Sequence, residues 1–297
     1  MNQRTLSHRE APIGNALTAI ARNILMEARA PMDDPSGETG EAIHDFRKAI
    51  KRWRAFLRLV EPEFGDGARN LRRAARDSAK ELNAMRDLRA CLDALEDAGK
   101  DRDAPGERAL AEMRGVIEAL LARQGDDPTD ALDRQGLVRR VGEWLNTISH
   151  WDFSRIAFAQ VLDALTRGYR RARHAMPKDW RHVDDEALHE FRRRIIDHRY
   201  QLEFAGALWP DAAKIEFEKT QYLREILGNH RDLALLARLT GPHQPLARFR
   251  AKIAPAIARR QKEHLAHAAR IAARAFDSKP RKFRADMEKR WLRRANN

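Results

Sequence analysis

The chain has 297 residues, 43% of them hydrophobic, enough to bury one large core or two modest ones. Its 57 Lys and Arg outweigh 44 Asp and Glu by a net charge of +13, so its mean field attracts anions: nucleic acid, an anionic membrane surface or a phosphate polymer. One cysteine, Cys91, excludes an internal disulfide framework and a multi-cysteine zinc cluster. No run of about 18 apolar residues could span a bilayer and the opening residues lack a signal peptide's apolar core, so we expect a cytoplasmic protein off the membrane.

Gly and Pro are sparse, Ala, Leu, Arg and Glu dominate, and no β-branched or aromatic run alternates strictly, so the expected class is all-α. Residues 12–29 form a first helix, opened by Pro12 and carrying Ile13, Leu17, Ile20 and Ile24 at helical spacing, and 31–40 form a loop. The helix over 43–60 follows, stopped by Glu61-Pro62. A third helix starts near Asp66 and runs a long seam through Leu71, Ser78, Leu82, Met85, Leu92 and Leu95. Helices at 107–123 and about 130–147 complete a first half, 1–150. The second half, 151–297, repeats the order: 154–175, 185–208, 211–239, about 246–276 and a short basic tail helix.

The helix over 43–60 has two faces. At about 100° per residue, Ile43, Phe46, Ile50, Trp53, Leu57 and Val60 make one apolar seam. His44, Arg47, Lys51, Arg54 and Arg58 follow one position behind, a stripe without a carboxylate. Such a stripe costs like-charge repulsion at i,i+3 and i,i+4 that a polyanion would relieve, although a charge run also reads as a solvated face. Arg69, Arg73, Arg76 and Lys80 form a second basic stripe.

A shift of 145 residues places His44 on His189, Phe46 on Phe191, Arg47 on Arg192, Ile50 on Ile195, Arg54 on Arg199 and Leu57 on Leu202, then Leu82 on Leu227 and Arg86-Asp87 on Arg231-Asp232. Two copies of a helical unit, each short of seam, should pack on one another about a pseudo-two-fold, and two basic stripes turned to the shared axis would make one cationic groove.

These paired patterns, His44-Asp-Phe-Arg47 with Lys51, Arg52 and Arg54, then Leu82-Asn-Ala-Met-Arg86-Asp87, and Leu188-His-Glu-Phe-Arg192-Arg193 with Arg199, then Leu227-Gly-Asn-His-Arg231-Asp232, resemble the CHAD domain, the conserved histidine α-helical domain, over about 9–294. The resemblance implies one compact domain of two tandem four-helix subdomains with a basic central cleft that binds inorganic polyphosphate. Carried over by motif, the contacts are His44, Arg47, Lys51, Arg52 and Arg54 in the first copy and His189, Arg192, Arg193 and Arg199 in the second; Arg76 and Lys80 are added from the basic stripe. Ile196 and Asp197 stand where the family usually has Lys or Arg, so the second half-site should be weaker.

Arg and Lys along a track suit a flexible phosphate polymer. The histidines read either as phosphate donors or as helix residues bonded to a carboxylate such as Asp87 or Asp232. His264 and His267 lack a third ligand by spacing and read as a solvated helix face, and His182, Asp184 and Asp185 read as a helix start, so no metal is assigned. Arg86-Asp87 and Arg231-Asp232 read as structural, each residue better placed to bind another helix than its neighbour. No nucleophile motif or phosphate loop stands out. We therefore expect a non-catalytic, cofactor-free polyphosphate binder, associated with polyphosphate stores. Nucleic-acid binding and metal-dependent phosphohydrolysis are the alternatives, the former disfavoured because the six Trp and three Tyr sit mostly in seams rather than as stacking platforms.

Overall fold

In the computed structural model, residues 3–34, 36–80, 82, 86–125 and 133–295 are described, with side chains from Ile13 onward apart from short stretches; those of Met85, Arg86 and Asp87 lie outside the description. Ten α-helices follow in order: α1 (Gln3–Asp33), α2 (Thr39–Lys80), α3 (Arg86–Gly99), α4 (Glu107–Gly125), α5 (Arg134–Ser149), α6 (Phe158–Ala175), α7 (Asp185–Leu208), α8 (Pro210–Leu239), α9 (Arg250–Ala275) and α10 (Pro280–Ala295). Single 3-10 turns precede α6 and α9, and no strand occurs among the described residues. None of these helices is long and apolar enough to cross a membrane.

The helix starts follow capping chemistry. The Asp184 carboxylate accepts from Ala187 N–H, with Asp185 and Glu186 in the first turn of α7 favouring its positive end. Asp133 does the same for α5 through Gly136 N–H, and Pro210 opens α8.

α1 is longer than expected, taking in Pro12 and Pro31 and shortening the following loop. α2 bends where the sequence breaks it: Pro62 removes a donor, and Gly65 takes φ 48°, ψ −120°, a conformation that favours glycine. The arm 66–80 then leaves at a new angle. The seam expected to run unbroken to Leu95 is interrupted, because the arm ends at Lys80 and Leu82 lies in a turn before α3. The guanidinium of Arg47 donates to the carbonyls of Ala79 (3.3 Å) and Leu82, satisfying that open end. In the second half, α8 runs straight through the corresponding stretch.

The large core draws on both sequence halves. Trp53 stacks on Phe56 with centroids 5.6 Å apart, and Phe56 meets Phe204 edge-on at 5.8 Å, so α2 and α7 share one apolar contact. α1, α5, α6 and α10 close around this pair. Fully burying one such ring contributes about 1.5–3 kcal/mol, so this seam outweighs any surface ion pair in fixing the α2–α7 crossing. A smaller core joins α3 and α4 to the C-terminal half of α8 and to α9, again mixing the halves.

Candidate functional site

Because Phe46, Ile50, Trp53 and Leu57 are buried, the residues one position further on emerge at the rim of the α2–α7 contact. His44 is exposed, and Arg47, Lys51, Arg54 and Arg58 are half-buried. Arg58 donates to Asp197 of α7. Arg52, further round α2, binds Glu27 of α1 and Glu203 of α7, the latter at 2.8 Å. Burial lowers the Arg52 pKa but the two carboxylates outweigh it, leaving it raised, so this side chain is committed to holding helices together.

Around Arg54 the balance reverses. Burial, opposed by Asp197 and reinforced by Arg193, Arg76 and Arg72, lowers its pKa, and its Nε is buried without a hydrogen-bond partner. Arg72 comes from the arm beyond the Gly65 bend, and Arg193 comes from α7, so three segments bring guanidinium groups together. Arg58 feels Arg72, Arg54 and Arg194 as well. Burial pushes the Asp197 carboxyl up, against the pull of Arg58, Arg54, Arg194 and Arg193. The surrounding acids are occupied: Arg72 pairs with Glu61 at 2.6 Å, Arg193 and Arg194 share Glu190, and Arg76 meets Asp77 at 3.1 Å.

His189 is exposed beside this cluster, its pKa lowered by burial of part of the ring's surroundings and by Arg193, Arg192 and Arg231, against Glu190. Arg192 lies over Gly228 of α8, where an added Cβ would stand 3.6 Å from its Nη2. Arg231 contacts its own neighbour Asp232 at 3.4 Å, a pairing not expected for adjacent helix residues. Arg76 and Lys80 are exposed, and Lys80 lies 3.7 Å from Asp77.

Arg199 stands apart from the other residues carried over. It is 8% exposed, packs over Tyr200 at 4.0 Å and Phe217 at 5.4 Å, and meets Glu203 at 3.4 Å. By the 145-residue shift it corresponds to Arg54, and Phe217 to Arg72, so one side of the crossing gathers cations where the other gathers rings and Glu203.

Three further histidines have partners: His264 with Asp97 at 2.7 Å and His267 with Tyr222 at 3.4 Å across helices, and His182 with Asp179 at 2.8 Å within one loop. His264 and Arg260 together bind Asp97, joining α9 to α3.

A family model described as CHAD domain matches residues 16–241. The chain belongs to the CHAD domain family. The crystal structure of the CHAD domain from the plant Ricinus communis has the same fold, with a TM-score of 0.54 over 93% of this chain and 91% of that one at 22% sequence identity. No curated protein matches the chain.

In this CHAD domain, reading the sequence missed Arg72 and Arg194 as members of the cluster. Arg194 directly follows the Leu188–Arg193 motif, whereas Arg72 falls outside the 3-to-4 stripe of its arm and reaches Arg54 only through the bend at Gly65.

Proposed function

We propose that this CHAD domain binds inorganic polyphosphate, without turnover, at the cation cluster centred on Arg54. The observation that carries the reading is a half-buried guanidinium whose Nε is buried with no hydrogen-bond partner among the described residues, surrounded by Arg72, Arg76 and Arg193, next to one carboxylate already held by Arg58. A buried charge without a partner is costly, and a flexible polyanion offers acceptor oxygens along its length to several guanidinium groups at once. The nearby carboxylates Asp197, Glu61 and Glu190 are held by arginines, which suits charge balance rather than activation of water. Such a domain would take itself, or whatever it is joined to, to polyphosphate stores in the cytoplasm.

The test compares long-chain polyphosphate with single-stranded RNA of matched charge, at low and physiological salt, on wild type and Arg54→Met. Polyphosphate retained at physiological salt while RNA is lost, with Arg54→Met binding weakly, supports the site. Equal behaviour of the two polymers, or a silent variant, rejects it. Phosphate release by purified protein with Mg²⁺ would reject the non-catalytic part alone.

A further inference from the structure

α6, which packs on α2, carries a second cationic surface. Arg167, Arg170, Arg171 and His174 fall at i, i+3, i+4 and i+7, on the face opposite the buried Val161, Leu162, Leu165 and Tyr169. Arg167 is half-buried and the other three are exposed. None of the three arginines forms an ion pair or hydrogen bond with a described residue, and Arg167 Nη2 is buried without a partner. The nearest acid on their own helix, Asp163, is taken by Arg284 at 2.9 Å.

The stripe adjoins the cluster. α6 packs against α2, and Arg167, after burial and the charges of Asp163, Arg171 and Arg170 on its own helix, also feels Glu61, the same carboxylate that binds Arg72. Along α2, Arg54, Arg58 and Glu61 succeed one another on one face, covering about 10 Å, and the α6 stripe adds about another 10 Å.

The fold does not require this charge. The 145-residue shift places Arg167, Arg170, Arg171 and His174 on Arg22, Leu25, Met26 and Arg29 of α1. There Leu25 is buried, Met26 is an exposed apolar residue, and Arg29 is neutralised by Asp33 at 2.6 Å.

Building on the polyphosphate reading, we infer that the Arg167–Arg170–Arg171 face of α6 continues the binding track out of the Arg54 cluster, so that the domain holds long phosphate chains in preference to short ones. A short oligophosphate fills only the cluster; a long chain leaves it past Glu61 and lies along α6.

The experiment titrates the intact chain with tripolyphosphate and with long-chain polyphosphate across a salt series, for wild type, Arg54→Met and Arg167→Gln/Arg170→Gln/Arg171→Gln. Helicity and unfolding midpoint verify that each variant folds. The triple variant should keep wild-type affinity for tripolyphosphate and lose affinity for the long chain. Its slope of log affinity against log salt should fall by about 2, for three contacts at about 0.7 each on a flexible strand. An unchanged long-chain affinity and slope, or equal losses for both ligands, would overturn the track while Arg54→Met still reports on the cluster. A folded wild type that binds neither ligand removes the polyphosphate reading and the track with it.

Discussion

Arg58 of α2 is paired with Asp197 of α7, and the 145-residue shift that aligns the two halves carries this pair onto Glu203 and Arg52, which are also paired, with the charges exchanged. Reciprocal contacts between equivalent positions are what a two-fold relation imposes on an interface. In an undiverged duplicate the same positions would oppose Arg to Arg. Acids at 197 and 203 remove that clash, and as a result cations are retained on the Arg54 side while the Arg199 side is neutralised by Glu203 and filled by Phe217.

Asp197→Asn should therefore move two readouts in opposite directions. With side chains only 17% and 20% exposed, the Arg58–Asp197 pair is largely desolvated, and removing its acid leaves Arg58 among Arg54, Arg72 and Arg194. A loss of about 3 kcal/mol in urea unfolding is expected, the low end for a broken buried pair because this one keeps some exposure. Binding of polyphosphate should strengthen, because the cluster gains a net positive charge. Weaker binding at matched fold content would show that Asp197 orders the site rather than dilutes it.

The bend at Gly65 returns Arg72 to Arg54. No atom lies within 4 Å of the place where a Cβ would stand, so Gly65→Ala tests the backbone alone. At φ 48°, ψ −120°, an L-residue is strained by about 1–3 kcal/mol, which should appear as a lower urea midpoint with an unchanged m-value. An unaltered midpoint would mean that the bend relaxes without cost.

Much of this was legible in the sequence. The helix class, the α7 boundaries and the break near Pro62 followed from periodicity and breakers, because each is a local property of the chain. The rim position of Arg54 followed from the buried seam beside it. The sequence could not reveal that Arg52 turns into ion pairs with Glu27 and Glu203, since both lie on other helices, whereas the Arg199–Glu203 pair stands at i,i+4 and was within reach of spacing alone. Arg72 joined the site through one dihedral pair at Gly65, which residue spacing does not encode. The α6 stripe has 3-to-4 spacing in the sequence but was not singled out from it; its position beside α2 gives it meaning.

His198 predicts an acid-sensitive fold. It is 1% exposed among Tyr169, Phe276 and Phe283, and burial alone pushes its pKa down to about 3. The folded state holds it neutral, whereas the unfolded chain protonates it near 6.5, so its contribution is intact above that pH and is lost as pH falls toward 3. The loss at pH 4 is roughly 3 kcal/mol. His198→Leu should reduce the pH slope of stability between 6.5 and 3 by one proton; buried His230, also shifted down, leaves a residual slope of the same sign. A slope identical to wild type would place the sensitivity elsewhere.

His189 connects binding to protons. In the free domain Arg193, Arg192 and Arg231 disfavour its charge, holding its pKa below the ordinary value. A polyanion bound among those arginines reverses the sign of the local field and raises that pKa, so binding takes up protons and affinity increases as pH falls through the ordinary histidine range. Calorimetric titration at pH 6 in two buffers of different ionisation enthalpy measures the uptake directly. Wild type should take up a fraction of a proton per bound site, His189→Gln should take up less, and the difference in affinity between the two should shrink as pH rises to 8. If His189→Gln takes up as many protons as wild type, another group supplies the coupling and the His189 ring stands outside the field of the bound chain.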